Sequence, residues 1–455
     1  MKIKQLVEKY DRPAPRYNCY PAAPYWQSKN AENNKWINAV KKAFEQSNSD
    51  KGITMYLHMP FCESLCTFCG FEKRITTNHF VEDIYIDALT KQWQLYIENL
   101  PALPELQNIY MGGGTPTFFS PNNLYKLFNQ LQKNYHQKNG FEGVFEGHPN
   151  STTSDHLGIL HDFGFRQMNL GIQDFDEQVQ SAINRHQTIE AVKKVTEEAR
   201  NIGFTTIKYD LIYGLPHQTT STVKYTIDKI AGLMPENIAF YSYVHLPNKR
   251  PSQASFKQAV LPKNIKKRTL FDFGRDELKK LGYKQVGLDH FSLEDHKLFR
   301  ASENKKLRRN LNGYTTFDTD VLLGIGAIAL SETPTAYAQN TVSVEGYHDQ
   351  VFNNTIPLEK TFFMEKQDQL LKVFIEDIMC KAEAKWSQAI FDSLNSEAKA
   401  EIISLQKEEL IDMNEIGFKV TEKGLPFLRN ISQVFDAQHH RNLKMTDNQE
   451  FSSAI

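Results

Sequence analysis

Tyr56-Leu-His-Met-Pro-Phe-Cys62-Glu-Ser-Leu-Cys66-Thr-Phe-Cys69 carries three of the chain's five cysteines within eight residues. Spaced Cys-x3-Cys-x2-Cys, the three thiols can ligate one iron–sulfur cube and leave its fourth iron open to a small molecule. An open iron does chemistry, where a fully ligated cluster only passes electrons. Structural zinc is the rival, but it asks for a fourth Cys or His in a second knuckle. His79, the nearest downstream histidine, belongs to no paired ligand motif. The run from Ile53 to His58 reads as a strand delivering its end to this cysteine loop.

Outward from that strand, extended and helical patterns alternate. Further strands are expected at 108–111, 141–146, 167–172, 205–211 and 238–243, with helices at 81–97, 121–135, 190–202 and 222–233. Such alternation implies parallel pairing, and barrels of this kind place their active site at the strand C-terminal ends. The fold expected is α/β: a partial (β/α) barrel over 51–355, preceded by an N-terminal arm (1–50) that wraps it. A small, mainly helical, winged-helix-like module follows over 356–455, with helices at 366–384, 396–410 and 425–435 and a two-stranded wing at 411–421.

Composition narrows the class of function. Fifty-three Lys and Arg nearly balance 54 Asp and Glu in 455 residues, so no global field steers the chain to nucleic acid or anionic lipid. No apolar run reaches the ~18 residues of a membrane span, and the first residues carry no apolar signal-peptide core. Few, clustered cysteines argue for a reducing compartment. A cytoplasmic monomer with neither nucleic-acid nor membrane partners is expected. The winged module lacks a concentrated base-reading patch, so packing or substrate covering is its expected role.

The cysteine stretch and its continuation, Gly70-Phe71, resemble the signature of radical S-adenosylmethionine (SAM) enzymes. The resemblance makes Cys62, Cys66 and Cys69 the ligands of a 4Fe–4S cluster whose open iron chelates SAM. One electron from the cluster then splits the sulfonium into methionine and a 5′-deoxyadenosyl radical. Phe68 would neighbour the adenine, whereas Phe61 reads as core. More narrowly, Pro15-Arg-Tyr-Asn-Cys-Tyr-Pro21, Gly112-Gly-Gly-Thr-Pro116, Gly171-Ile-Gln-Asp-Phe175 and Ile183-Asn-Arg-His186 follow, in order, the pattern of oxygen-independent coproporphyrinogen III oxidases. So do Asp210-Leu-Ile-Tyr-Gly-Leu-Pro216, Asp289-His-Phe291, Arg309-Asn-Leu-Asn-Gly-Tyr-Thr-Thr316, Tyr337-Ala-Gln-Asn340 and Phe427-Leu-Arg-Asn-Ile431.

That resemblance implies oxidative decarboxylation of two propionates of coproporphyrinogen III to vinyls, in heme biosynthesis. It also implies a tetrapyrrole substrate, an electron donor such as a flavodoxin or ferredoxin, and two bound SAM molecules. Implied cofactor contacts are Tyr56, Gly113, Gly114, Thr115, Glu146, Gln173, Arg185 and Asp210, with Val244 and Leu330 lining the SAM sites. Glycines after a strand allow close backbone approach, and the planar fork of Arg185 suits a carboxylate. His58 is read either as a donor to a cluster sulfur or as a core histidine. The run Lys305, Lys306, Arg308 and Arg309 is read either as a solvated face or as help for the substrate's four carboxylates.

One departure bears on the reaction. Phe71 stands where the oxidase pattern has a fourth cysteine, so any thiol function there is absent. Cys-Gly-Phe is similar to two relatives, heme-chaperone proteins and heme-opening radical methyltransferases. A heme-binding protein and a heme-directed methyltransferase are therefore the alternative readings.

Overall fold

Strand β1 (Ile53–Met59) is buried at six of its seven positions and pairs in parallel on both sides, as apolar runs do in sheets covered on two faces. In the computed structural model, which describes residues 3–26, 32–256, 260–442, 451, 453 and 454, five more parallel strands continue from it in chain order. They are β2 (Glu105–Gly113), β3 (His136–Gly147), β4 (Phe165–Gln173), β5 (Thr206–Tyr213) and β6 (Asn237–Ser242). The crossover helices are Val81–Ile97, Pro121–Leu131, Ser154–Asp162, Ile189–Ile202 and Thr220–Ala231. Four of them start at hydroxyl caps, Ser120, Thr153, Thr188 and Thr219, each accepting a hydrogen bond from a backbone N–H three residues on.

The sheet extends past both ends of this series to twelve strands in open order, which is the expected partial barrel. Val321–Ile325 lies parallel to the other edge of β1, with Gly324 beside Tyr56. Leu330–Glu332, Ala336–Asn340 and Leu358–Phe363 then add antiparallel strands. At the far end His290–Ser292 and Lys284–Val286 cover β6. The strand Leu358–Phe363 thus carries the sheet beyond residue 355, where the second module was expected to begin.

Two cores follow. The larger fills the space between sheet and helices. The smaller joins Leu371, Phe374, Ile378, Leu405 and Phe435 of the C-terminal module to Leu6, Tyr10 and Tyr17 of the arm. The arm therefore divides between them: its helix Asn33–Ser47 puts Trp36, Val40 and Phe44 into the barrel core, while residues before 21 pack with the C-terminal module. Residues 27–31 of the arm and 443–450 of the module lie outside the described residues. The wing has three strands rather than two. Ala382 takes a left-handed φ of 51° at the end of helix Lys366–Lys381 and turns the chain so that Glu383–Lys385 pairs with Gly417–Val420.

Two sequence motifs turn out to hold the arm. Arg429 is buried and donates from Nε to Pro15 O at 3.0 Å, from Nη1 to Ser453 O at 2.9 Å, and from Nη2 to Ala14 O. Asn430 and Gln433 on the same helix donate to Tyr10 O and Pro13 O, both at 2.9 Å. Arg309 donates to Tyr17 O (3.0 Å), Arg16 O (3.1 Å) and Asn18 Oδ1 (2.7 Å). Arg308 pairs with Glu376 and Asp318, and Lys305 with Glu383. Those three cations of the basic run are taken up by structure: Arg309 by the arm's irregular backbone, whose carbonyls need donors, and Arg308 and Lys305 by carboxylates.

Arg429→Ala would leave three carbonyls short of a donor. We expect it to cost about 3 kcal/mol of unfolding free energy by denaturant titration, with the first cleavage in limited proteolysis moving into the first twenty residues.

Candidate active site

The cysteine loop is irregular, and three neighbouring segments hold it. From the glycine turn after β2, Gly114 N donates to Met59 O (2.7 Å) and Thr115 N to Phe61 O (2.9 Å). Thr115 Oγ1 donates to Cys62 Sγ at 3.3 Å. From the loop after β4, Asn184 donates to Leu65 O (2.8 Å) and Arg185 Nη1 lies 3.6 Å from Cys66 Sγ. Thr67 returns two bonds, from N to Ile183 O and from Oγ1 to Ala182 O. After β6, the buried Gln253 donates to both Phe68 O (2.9 Å) and Val244 O (3.0 Å). The three loops therefore present the three thiols at the C-terminal ends of the parallel strands.

The glycine turn is close-fitting for reasons internal to the protein. A Cβ on Gly113, which has φ 114°, would come within 2.6 Å of the His58 ring, and one on Gly114 within 2.7 Å of Phe61 O. His58 itself is buried beneath this turn, with Nδ1 2.9 Å from the Tyr56 hydroxyl, and burial pushes its pKa down to about 4. Of its two expected roles, the geometry is that of a neutral core histidine. Phe61 is core, packed on Tyr85, Phe118 and Phe119.

Inside the barrel a polar chain crosses the strands. Glu146 on β3 accepts from Tyr110 OH (2.7 Å) and Gly113 N (3.2 Å), and Asn169 Nδ2 donates to Tyr110 OH (3.1 Å). Burial raises the Glu146 pKa, with Tyr110 opposing that and nearby Asp210 adding to it. Lys208 Nζ stands 3.1 Å from Asp210 Oδ1. Burial alone would lower the Lys208 pKa, but Asp210 outweighs it and the ammonium stays charged. Gln173 takes a φ of 67°, and Arg185 Nη2 donates to Gly171 O, so both side chains gather above Gly171. Burial leaves Gln173 Oε1 and Arg185 Nε without partners.

The remaining expected residues lie farther apart. Phe68 packs with Ile183, Leu215, Tyr243 and Phe256, and Val244 lies two residues past the end of β6. Leu330 packs with Trp26, Tyr337 and Met364 instead, beside the arm. Phe71 is 69% exposed. Sequence reading missed Tyr110, Asn169, Asn184, Lys208 and Gln253. The Lys208-x-Asp210 alternation on one strand face and the Asn184–Arg185 pair were available signals.

These residues fit an iron–sulfur cluster. Burial, followed by its neighbours Cys69 and Cys66, pushes the Cys62 thiol up to about 11, with Thr115 opposing, so a bound metal would displace its proton. Among the described residues no three or more His, Cys, Asp or Glu side chains converge as a cage for one metal ion. A cube spreads its thiolates over three corners and so asks for wider spacing than a single ion does. The unpartnered Gln173 and Arg185 atoms add a donor and an acceptor beside the loop for a polar ligand.

Comparison with known proteins agrees with this geometry. Residues 56–230 match the Radical SAM superfamily, which implies a 4Fe–4S cluster and SAM. Over 99% of its length the chain is 32% identical to the oxygen-independent coproporphyrinogen III oxidase of Salmonella typhimurium, spanning 98% of that protein. It is 29% identical to the Pseudomonas aeruginosa protein of the same name, over 99% and 98% of the two chains. The solved structure of Escherichia coli coproporphyrinogen III oxidase (HemN), a radical SAM enzyme, superposes with a TM-score of 0.86 at 30% identity, over 95% of this chain and 98% of that one. The chain belongs to the oxygen-independent coproporphyrinogen III oxidase family of radical SAM enzymes.

Two measurements test the site. Thr115→Val removes the bond to Cys62 sulfur and should lower iron retention against a chelator about tenfold. His58 has a folded pKa of about 4 against an unfolded value of 6.5. The unfolded state therefore takes up its proton first, so His58 draws stability away as pH falls from 6.5 to 4, by about 3 kcal/mol in full. His58→Gln should flatten that part of the stability–pH curve.

Proposed function

We propose that this protein decarboxylates the two propionates of coproporphyrinogen III oxidatively, without oxygen, to give protoporphyrinogen IX. The observation that carries the reading is similarity from end to end, at 32% identity and with the same fold, to oxidases of that name. The heme-binding and heme-methylating alternatives rest on Phe71 alone, and the relatives do not favour them. No helix among the described residues is long and apolar enough to cross a membrane.

Cys62, Cys66 and Cys69 would hold the cluster, which when bound supplies the electron that splits SAM into the hydrogen-abstracting deoxyadenosyl radical. Gly113, Gly114 and Thr115 fix the loop and offer backbone groups to the methionine end. Glu146 is suited to accept from an amino group, and Arg185 with Gln173 to bind a carboxylate and a hydroxyl. Asp210, anchored by Lys208, keeps an acceptor in the barrel. Tyr56 and Phe68 supply aromatic faces, and Val244 an apolar wall. Leu330 would line a second SAM. A flavodoxin- or ferredoxin-like donor, a cytoplasmic setting and a monomeric state complete the proposal.

Anaerobic reconstitution with SAM, a strong reductant, cell extract and coproporphyrinogen III tests it. Mono- and divinyl products accompanied by 5′-deoxyadenosine are expected, and both should vanish in Cys66→Ser. Deoxyadenosine without decarboxylation would overturn the substrate. Intact heme bound one to one, with no SAM cleavage, would favour the binding protein.

A further inference from the structure

A cavity of about 420 Å³ lies outside the barrel, where the arm, the helix Asn264–Lys280 and the C-terminal module meet. Its walls are strongly cationic. Arg268, Arg275 and Lys279 share one face of the helix, Arg16 comes from the arm, and Lys423 and Arg429 come from the module. Only Asp289 and Glu422 oppose them on the lining.

The counter-charges already present are thinly shared. Arg268 and Arg275 both pair with the carboxylate of Asp272, and Arg275 pairs besides with the exposed Asp276. Arg16 stands 3.7 Å from Asp289, itself hydrogen-bonded to His290 at 2.9 Å. Lys423 pairs with Glu409 on the far side of its loop. Lys279 makes no ion pair among the described residues. Arg268 and Arg429 are more than nine-tenths buried, so their charge is poorly screened by water. The crowding reaches the neighbouring Lys267, whose ammonium burial, then Arg429 and Arg16, push down to about 8 against the pull of Asp11. A helix dipole explains Lys279 in the last turn, but not Arg268 and Arg275 in the middle of the helix.

Guanidinium forks on opposing walls recognise planar or tetrahedral oxyanions, and a concave cationic wall concentrates them. The volume is that of a small-molecule site and too small for a nucleic-acid groove. We propose that this seam binds a small molecule carrying at least two adjacent anionic groups, phosphates or carboxylates, and that the ligand staples the C-terminal module to the barrel. Arg16 links the seam inward, since its guanidinium lies 5.3 Å from the ring of Tyr241 on β6.

The test uses the full chain at low ionic strength, titrated calorimetrically with pyrophosphate and, separately, with citrate, and melted in the presence of each. At least one probe should bind and raise Tm. Binding of pyrophosphate alone would identify a phosphate ligand, and of citrate alone a carboxylate one. Arg275→Ala/Lys279→Ala, the less buried pair on the seam face of the helix, should weaken binding about tenfold, and Lys423→Ala on the opposite wall should weaken it as well. Lys193→Ala/Lys194→Ala, on a distant helix, should leave it unchanged. Failure of both probes to bind, undiminished binding in the seam variants, or equal loss in the distant variant would each overturn the proposal.

Discussion

Everything at the site depends on holding an irregular loop still. Helices and strands satisfy their own backbones, but the cysteine loop cannot, so its carbonyls and amides must be met from outside. The barrel does this with the ends of its own strands: the glycine turn after β2, the Ile183–Arg185 loop after β4 and Gln253 after β6 each bond the loop. The first tether leaves directly from a parallel strand, and the other two come from connections that follow β4 and β6, the short helices Glu177–Ala182 and Pro251–Ser255 included, so the thiols are held from one end of the sheet. The glycines of the turn serve that hold first. Gly113 and Gly114 are glycines because β1 and the loop pass too close for a Cβ.

A second constraint acts at long range. The arm has little regular structure of its own between residues 11 and 22, and it is fixed by arginine and amide side chains aimed at its carbonyls. Arg309 and Arg429 come from opposite sides, one beside the sheet and one in the C-terminal module. In this chain the stretches Arg309-Asn-Leu-Asn-Gly-Tyr-Thr-Thr316 and Phe427-Leu-Arg-Asn430 thus serve to satisfy the arm's backbone.

The six strands β1–β6 were legible because each contains a short apolar run set between helical patterns, and the expected positions match the observed ones to within a residue at Thr205 and Tyr243 and lie inside them elsewhere. The strands after residue 320 were not. Val321-Leu-Leu-Gly-Ile325 is buried throughout, so it has no alternation to read, and its neighbours are only three to six residues long. At the site the spacing of the cysteines pointed to a cluster, whereas Asp210 came from the resemblance to the oxidase pattern alone and Glu146 from that resemblance and its place at a strand end. Gln253 was not legible, because its role is set by where two loops meet in space. The basic run Lys305–Arg309 was read as a solvated face or as help for the substrate, and its carboxylate and carbonyl partners were not legible, since a row of cations says nothing about what waits beside it.

The clamp on the arm also joins the two ends of the chain. Ala454 N donates to Arg12 O at 2.9 Å, Pro13 bridges to Ser453, and Tyr17 OH donates to Asp436 Oδ2 across 419 residues of sequence. Leu6, Tyr10 and Tyr17 are buried in a core built mainly from residues 371 to 435, with Ile265 and Leu288 packed against it. These arm residues therefore complete their core only with segments far later in the sequence, and contacts of such long range are slow to form. Tyrosines left exposed before that core closes are a hazard of this topology, and the polar clamp on the arm contributes only once the helix Leu428–Val434 stands in place.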